Sequence, residues 1–391
     1  MLDQKKILIL TSRTGGGHIS LAESLRDLLI QDEPAAGEDT KTACSPENLT
    51  LLDPQPGFFH WHYRLVSRYA LWLWAAEFQF FDTPRRSLLA HRVFTRLVSR
   101  QLHRLLDEAR PDLIITTYPF LSYEVMRVLE QRASRVPLVM LFSDANGVHA
   151  AWLSERQAAA TFAPTRETYE QALKAGFAPE RLHFTGWPVR ARFSLPYLFT
   201  REARVETLTR LGLDPDRFTV FLQGGGEGAA RFSRTIETVL AVDAGTGNVD
   251  GVQIILAAGT NRALLTRYKD TPRLAVLPFT PEIAPFMAAA DVVMGKAGPN
   301  MLFESVTLGK PFIATTYIPG QEQANLPFIQ RHGLGWVALH PYEQRALLTA
   351  LLRDSDRADL TAMSATVDAY RRQNNAATRR IVPLLRALLA P

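Results

Sequence analysis

Residues 7–29 read ILILTSRTGGGHISLAESLRDLL, and their pattern indicates the architecture of the whole chain. Ile7 to Leu10 form an unbroken apolar run, which is typical of a strand buried on both faces. Leucines then recur at helical spacing from Leu21 to Leu29, and the glycines between the two patterns allow a tight connection. The segment therefore predicts a strand, a glycine loop and a helix, the unit from which parallel α/β sheets are built.

The same alternation recurs along the chain and predicts two open α/β domains in tandem. Gly186-Trp187-Pro188 and Leu195-Pro196-Tyr197 interrupt regular structure, so we place the boundary there, with domains at 1–193 and 194–364. The apolar runs that indicate strands are 113–116 and 138–142 before the boundary, and 218–222, 252–256, 274–277, 292–294 and 311–313 after it.

Composition excludes several classes of protein. The chain has 391 residues, a formal charge of +5 and an apolar content of 47%, which is typical of globular domains. Cys44 is the single cysteine, and no Cys/His cluster has structural zinc spacing, so a reducing compartment is expected. Only four apolar residues follow Lys5-Lys6, too few for a signal peptide, and no apolar run is long enough to span a bilayer. We therefore expect at most a peripheral contact with a membrane.

One segment departs from the alternation. Ten aromatic residues lie between Phe58 and Phe81, and Trp61, Trp72 and Trp74 are among them. Four arginines at helical spacing follow, and over residues 51–110 nine Lys/Arg stand against five Asp/Glu. The four arginines are Arg92, Arg96, Arg100 and Arg104. The segment either meets the interface of an anionic membrane or forms an internal helix pair with solvated arginines. Nucleic acid is disfavoured, because no recognition motif accompanies the charge.

Candidate chemistry in the first domain follows two predicted strands. Gly15-Gly16-Gly17-His18 suits an anion or a substrate oxygen, although its spacing matches neither the dinucleotide fingerprint nor a Walker loop. His18 is either a general base with an ordinary pKa of about 6.5 or a capping or core histidine. Asp144 and His149, with Trp152 beyond, follow the apolar run 138–142. This acid and imidazole either form a base with its orienting partner or bond each other inside a loop.

The second domain has its own glycine-rich loop at 224–228. Farther along, Lys296-Ala297-Gly298-Pro299-Asn300 precedes a predicted helix that carries Glu304. A glycine loop and a helix start together make a second anion site. Glu304 either accepts ribose hydroxyls or is a solvated surface glutamate. The polar side chains of 319–325 follow a turn and are suited to a hydroxyl-rich ligand such as a sugar.

Taken in order, these motifs resemble one glycosyltransferase family over nearly the whole chain. The family contains the monogalactosyldiacylglycerol synthases, the processive diacylglycerol glucosyltransferases and the enzyme that adds N-acetylglucosamine to lipid I. Lys296 to Glu304, Tyr317 to Glu322 and the Asp144, His149, Trp152 arrangement are especially similar to the galactolipid synthases. The resemblance implies an α/β GT-B fold, in which two Rossmann-like domains face a cleft. It also implies that a helix over 365–391 returns to the first domain.

The function implied by this resemblance is an inverting transfer of a hexose to a lipid. A UDP-sugar, with galactose favoured over glucose, would donate to the hydroxyl of 1,2-diacylglycerol on the cytoplasmic face of a membrane. No metal or other cofactor is expected, and residues 58–104 become the predicted docking surface for anionic lipid. The alternatives are UDP-glucose or UDP-N-acetylglucosamine with another lipid acceptor, a UDP-N-acetylglucosamine 2-epimerase, and a catalytically silent nucleotide-sugar or lipid-binding protein.

The resemblance also implies roles for individual residues. It makes His18 the base, with Asp144 as competitor, and assigns the acceptor side to Gly16, Gly17, His149 and Trp152. The diphosphate would be stabilised by Arg190, Gly224, Gly225 and Gly226. Uracil would be held at Phe279 and Thr280, and ribose by Glu304. Lys296, Gly298, Pro299 and Asn300 would form the donor loop, and Gln321, Glu322 and Asn325 would contact sugar and phosphate. Asn300-Met301 departs from the glycine or threonine that relatives commonly carry, which puts the phosphate contact there in doubt.

Overall fold

Two parallel six-stranded sheets organise the protein, whose computed structural model describes residues 4–14, 16–31, 44–224, 232–242, 251–354 and 356–390. The two α/β units predicted from the sequence are therefore confirmed, and the architecture is that of the GT-B class. By their contacts, the residues divide into a first unit of 1–190, 319–321 and 373–391 and a second unit of 191–318 and 322–372.

The first sheet has the strand order β2-β1-β3-β4-β5-β6. Its strands are β1 (Ile7–Leu10), β2 (Leu49–Leu52), β3 (Leu113–Thr116), β4 (Leu138–Leu141), β5 (Ala160–Ala163) and β6 (Leu182–Phe184). Every residue of β1, β3, β4 and β5 is buried, because helices cover both faces of the sheet. The helices of this part of the chain are α1 (Gly17–Gln31), α2 (Gly57–Tyr69), α3 (Leu71–Phe81), α4 (Pro84–Ala109), α5 (Ser122–Gln131) and α6 (Arg166–Lys174).

The second sheet has the strand order β12-β11-β10-β7-β8-β9. Its strands are β7 (Thr219–Gln223), β8 (Gln253–Gly259), β9 (Leu274–Pro278), β10 (Val292–Lys296), β11 (Phe312–Thr316) and β12 (Gly335–Val337). The helices here are α7 (Arg201–Arg210), α8 (Phe232–Leu240), α9 (Arg262–Tyr268), α10 (Ala284–Ala288), α11 (Pro299–Thr307), α12 (Asn325–Arg331) and α13 (Pro341–Arg353). Read from β9, this is the strand order of the dinucleotide-binding folds.

Each sheet has one point at which the direction of chain winding reverses. In the first sheet it lies between β1 and β3, and in the second between β7 and β10. The loops that follow these strands diverge to opposite faces, which opens a crevice at the carboxyl ends. The loops after β1 and β3, and after β7 and β10, are therefore where the order of strands favours ligand binding.

The carboxyl-terminal segment differs from the sequence prediction. One helix was expected over about 365–389, but the structure has two, α14 (Ala358–Thr378) and α15 (Ile381–Leu389). Residues from Gln373 onward belong to the first unit, where the Asn374 side chain is buried. Asn374 Oδ1 accepts a hydrogen bond from the Trp187 backbone N–H at 2.8 Å, and Nδ2 donates to the Trp187 carbonyl at 2.9 Å. The amide side chain thus pairs with the backbone as a neighbouring strand would.

Replacing Asn374 with leucine is expected to lower the free energy of unfolding by about 2–4 kcal/mol. The substitution removes the partner of two buried backbone groups, and an unmet buried hydrogen-bonding group costs about 1–3 kcal/mol. Asn375→Leu is the matched control, because Asn375 is exposed and its substitution should change stability by less than about 0.5 kcal/mol. Thermal unfolding of both variants measures the difference, and equal midpoints would contradict the expectation.

Candidate active site

His18 lies at the reversal point of the first sheet, in the first turn of α1. Its Nδ1 is 2.9 Å from the carbonyl oxygen of Thr117, which directly follows β3. A carbonyl only accepts hydrogen bonds, so Nδ1 carries the proton and the neutral ring presents a lone pair at Nε2. The Thr117 hydroxyl also donates to the backbone carbonyl of His18 at 3.2 Å, so a second hydrogen bond holds the start of α1 to the loop after β3. The arrangement prepares Nε2 to accept a proton.

The pKa of His18 is lower than the sequence interpretation assumed. Burial lowers it to about 4, against smaller raising effects of the Thr117 carbonyl and the Asp53 carboxylate. The assumption of an ordinary value was therefore wrong, because desolvation of the imidazolium cannot be read from local sequence. The Tyr118 ring meets His18 edge-on at 4.9 Å and contributes to that apolar environment. His18 is neutral at pH 7 and so is available as a base.

Asp53 is a candidate site residue that the sequence reasoning missed. It follows β2, and its Oδ2 accepts bonds from the Arg13 backbone N–H at 2.6 Å and from His60 Nε2 at 2.7 Å. Oδ1 accepts the Gln55 N–H at 3.0 Å. The carboxylate therefore ties the loop after β2 to the glycine loop, and its charge raises the pKa of His18. An acid directly after the leucine-rich segment 49–52 was the available signal, but that segment, which includes Thr50, was not recognised as a strand.

Asp144 lies after β4, two strands from β1 in the same sheet. Its Oδ2 accepts the backbone N–H of His149 at 3.3 Å. Burial raises the pKa of Asp144 to about 7, and the nearby Asp82 adds to the rise, while the His149 N–H and the Trp152 side chain oppose it. A carboxyl group that titrates near neutral pH is suited to moving protons.

The side chains of His149 and Trp152 are buried and contact other protein groups rather than open space. His149 Nε2 donates to the Phe78 carbonyl at 3.2 Å, and Nδ1 accepts the Ala151 N–H at 3.1 Å, so both ring nitrogens are engaged. The acid and the imidazole therefore do not pair as a base with its orienting partner, since His149 bonds Asp144 through its backbone N–H within the loop. Trp152 is fully buried, packs on Phe142 in the core and interacts with the Asp144 carboxyl, so its place is behind Asp144 rather than against an acceptor.

The remaining predicted residues of the first unit lie near α1 and beyond β6. Gly16 has a left-handed backbone at φ +68°, and a Cβ placed there would meet no heavy atom within 4 Å. The residue is thus glycine for its backbone conformation, and the space beside it is open. Gly17 begins α1. Arg190 lies 3.8 Å from Glu23 of α1, so its guanidinium has an acidic neighbour within the first unit.

In the second unit the donor loop follows β10 at the reversal point. Gly298 caps α11, Pro299 is its first residue, and Asn300 lies in its first turn. Proline at that position fits, because the first helical N–H groups have no helical partner. Glu304 is only 8% exposed, so the interpretation as a solvated surface glutamate is wrong.

Lys296 and Glu322 form a close ion pair beside this loop. Glu322 Oε2 also accepts the Ile318 N–H at 2.8 Å, and Asn325 Nδ2 donates to the Ala297 carbonyl at 2.8 Å. These bonds hold the loops after β10 and β11 together. Glu322 thus has structural partners of its own, in addition to the ligand role that the resemblance implies. Gln321 is grouped with the first unit.

The predicted uracil segment follows β9. Phe279 is 72% exposed, and Thr280 Oγ1 accepts the Glu282 N–H at 3.1 Å. Gly224 follows β7, and a Cβ there would come within 3.0 Å of the Phe232 ring, so close helix packing requires glycine. Gly225 and Gly226 lie outside the described residues.

The aromatic and basic segment forms α2, α3 and α4. Trp61 and Trp72 are 58% and 74% exposed, as expected of a docking surface. Trp74 is half-buried and packs edge-on against Tyr63 at 5.0 Å, so less of its ring faces solvent than in the other two tryptophans. Arg92, Arg96 and Arg100 are exposed on α4. A further feature that was missed is an exposed apolar stripe beside them, formed by Leu89, Val93 and Leu97. Their spacing of four residues was the available signal.

Two properties follow from the described ranges as a whole. No helix within them is both long enough and apolar enough to cross a bilayer. Within the same ranges, no three histidine, cysteine, aspartate or glutamate side chains form a group that could hold a metal ion.

Two protein-family models match the chain one after the other. Residues 18–189 match the monogalactosyldiacylglycerol (MGDG) synthase model, and residues 219–376 match the glycosyltransferase family 28 C-terminal domain. The first match begins at His18 and includes Asp53 and Asp144. The second includes the donor loop, Glu304 and residues 321–325.

Among curated proteins, the chain is similar to a probable chloroplastic monogalactosyldiacylglycerol synthase of Nicotiana tabacum. The two are 28% identical over 353 residues, which cover 86% of this chain and 62% of the tobacco protein. The chain thus spans less than two thirds of the length of that relative.

Among solved structures, the chain is similar to Acinetobacter baumannii MurG, with a TM-score of 0.59, 17% identity and coverage of 98% of this chain and 99% of MurG. It is also similar to Anabaena Alr3699/HepE in complex with UDP and glucose, with a TM-score of 0.55 and 15% identity. The match covers 98% of this chain and 99% of the Anabaena protein. At these identities the two structures establish the fold.

Proposed function

We propose that this chain, whose residues 18–189 match the monogalactosyldiacylglycerol synthase model and whose residues 219–376 match a glycosyltransferase domain, transfers galactose from UDP-galactose to the free hydroxyl of 1,2-diacylglycerol. The product would be a β-galactosyl diacylglycerol, made with inversion at the anomeric carbon. The observation that carries the proposal is the match of the synthase model to residues 18–189, the part of the chain that holds His18 and Asp144.

His18 is the proposed base. In the reaction, the acceptor oxygen forms a bond to the anomeric carbon while the bond from that carbon to the diphosphate breaks. The hydroxyl proton passes to Nε2 of His18, and UDP departs with the electron pair of the broken bond. The lone pair at Nε2 supports this role, because Nδ1–H is already committed to the Thr117 carbonyl. Asp53 stabilises the imidazolium that forms, since its charge raises the pKa of His18.

Asp144 is the proposed second catalytic group, and its carboxylate would accept a hydrogen bond from the acceptor lipid. Burial raises its pKa to about 7, so the charged form predominates only above neutral pH. An acceptor hydroxyl held by this carboxylate is oriented for attack and loses its proton more readily.

UDP is the proposed leaving group, and the second unit supplies the groups that suit it. The start of α11 presents the positive end of a helix dipole, which stabilises developing negative charge. Glu304 lies farther along the same helix, mostly buried, where a carboxylate can accept ribose hydroxyls. The bound UDP and glucose of the Anabaena neighbour support a donor of this chemical class.

The test is incubation of the purified protein with diacylglycerol-containing vesicles and either UDP-galactose or UDP-glucose, followed by identification of the lipid product and its anomeric configuration. A β-galactosyl diacylglycerol is the expected result. A product only from UDP-glucose would correct the sugar and leave the reaction class intact. Binding of UDP without product from either donor would overturn the proposed acceptor.

The lipid acceptor requires contact with a membrane, and we propose that α2, α3 and α4 provide it as a peripheral docking surface. The exposed Trp61 and Trp72 suit the headgroup region, and the apolar stripe of α4 lies along its exposed arginines. The arginines would attract anionic lipid, while the apolar side chains would enter the interface.

Replacing Arg92, Arg96 and Arg100 with glutamine is expected to weaken binding to anionic vesicles about a hundredfold at low salt. Each cation near the surface contributes about 1 kcal/mol, so three contribute about 3 kcal/mol. Vesicle sedimentation measures the effect, which should shrink as salt is raised. Glutamine at the exposed Arg201, Arg262 and Arg345 makes the same charge change elsewhere. Equal binding by the two triple variants would show that the arginines of α4 are structural.

A further inference from the structure

The first unit contains a fully buried pair of titratable side chains that the proposed mechanism does not use. His91 of α4 and Glu124 of α5 are both 0% exposed, and His91 Nδ1 is 2.8 Å from Glu124 Oε1. His91 Nε2 is 3.0 Å from the carbonyl oxygen of Ala151, in the loop that follows β4. The rings of Phe120 and Tyr123 lie 4.9 and 5.2 Å from the imidazole and confine it.

The hydrogen bond from His91 Nε2 to the Ala151 carbonyl does not depend on whether the proton between His91 and Glu124 lies on Nδ1 or on the carboxyl group. A carbonyl only accepts, so His91 Nε2 must carry a hydrogen. Nδ1 then either accepts a proton from a neutral Glu124 carboxyl or donates one to its carboxylate. Burial raises the pKa of Glu124 to about 7, against the smaller lowering effect of the His91 hydrogen bond. The hydrogen bond to Ala151 is present with either placement of the proton.

Ala151 lies in the turn that reaches Asp144. Its backbone N–H donates to His149 Nδ1 at 3.1 Å, and the His149 N–H donates to Asp144 Oδ2 at 3.3 Å. A chain of hydrogen bonds therefore runs from Glu124 through His91, Ala151 and His149 to Asp144. The charged and titratable groups that face this chain are Asp82, beside Asp144 and His149, and Glu155, beside Glu124.

We propose that His91 and Glu124 form a positioning pair for Asp144: by holding the Ala151 carbonyl, they keep the His149 N–H on the Asp144 carboxylate. The inference rests on the proposed function for the catalytic use of Asp144, but the geometry of the network does not depend on it. A hydrogen bond to the charged form lowers a carboxyl pKa, so loosening the turn should raise that of Asp144.

The test compares four variants by the pH at which Asp144 titrates. His91→Phe keeps an aromatic ring in the cage but removes both polar bonds, and Glu124→Met removes the partner of Nδ1. Both should raise the midpoint by about half a pH unit or more. Glu124→Gln restores a donor to Nδ1 and should keep the wild-type midpoint. Val128→Ala, a buried apolar change on the same helix, should lower thermal stability without moving the midpoint.

Two readouts separate this inference from the proposed function. The first is the pH dependence of kcat/KM for galactosyl transfer. The second is the ¹³C NMR titration of the Asp144 carboxyl carbon, assigned by its absence in Asp144→Asn, which needs no substrate. Failure of the wild type to make galactolipid would refute the proposed function. The NMR titration of Asp144 would still test the positioning pair.

The outcomes are distinct. A raised midpoint in His91→Phe and Glu124→Met, with wild-type midpoints in Glu124→Gln and Val128→Ala, supports the positioning pair. Wild-type midpoints in both polar-deletion variants would overturn it, as would an equal rise in Val128→Ala. If His91→Phe does not fold, the contrast between Glu124→Met and Glu124→Gln decides.

Discussion

His18→Ala is expected to lower kcat for galactosyl transfer by about two to four orders of magnitude, the usual contribution of a positioned general base. The variant loses the only Nε2 lone pair that the Thr117 contact prepares, and alanine offers no replacement. The Michaelis constant for UDP-galactose should stay within about twofold, because the predicted donor residues other than Arg190 and Gln321 are grouped in the second unit. Steady-state kinetics on diacylglycerol vesicles measures both quantities.

His183→Ala is the matched control for this substitution. His183 lies on β6 in the same unit, and burial lowers its pKa as well, but the strand is at the far edge of the sheet from β1. Its loss should leave kcat within about twofold of the wild type. A His18→Ala enzyme that keeps its turnover within a few fold would show that the proton leaves by another route.

Asp144→Asn is expected to lower kcat by about two orders of magnitude at pH 8 and to abolish the change in kcat/KM near pH 7. The pKa of Asp144 is raised to about 7 by burial, so the wild-type rate should fall as pH drops below that value and the carboxylate takes up a proton. His18 has a pKa of about 4, so it remains unprotonated through this range. Asparagine keeps the volume and the bond from the His149 N–H, but it cannot carry the charge.

Asp82→Asn is the control, because it should shift the pH dependence of kcat/KM in a known direction. Asp82 raises the pKa of Asp144 by like-charge repulsion, so Asp82→Asn should move the limb near pH 7 to lower pH and keep its amplitude. Asparagine retains an oxygen for the Ala150 N–H, which Asp82 Oδ1 accepts at 2.8 Å. A limb that stays near pH 7 in Asp144→Asn would assign it to a different group.

The sequence alone determined the fold class and much of the strand pattern. The runs that became β1, β3, β4, β7, β8, β9, β10 and β11 were recognised because parallel strands buried on both faces read as continuous apolar segments. The short strands β2, β5, β6 and β12 were missed, since each contains small or polar residues that interrupt the apolar run. The two-unit organisation followed from the alternation of elements, which is a local property.

The sequence also determined which residues to examine, but only the tertiary structure decided what surrounds them. His18 stood out after its glycine loop, yet the Thr117 contact and the low pKa arise because β3, about a hundred residues later, lies beside β1. Asp53 entered the site because β2 pairs with β1 on the other side. Trp152 was assigned to the acceptor side, but packing buries it fully, and Trp74 was assigned to the surface, but it is half-buried against Tyr63. Periodicity and glycine placement act between near neighbours in the chain and are visible in sequence, whereas desolvation, strand order and charge proximity depend on residues far apart in it.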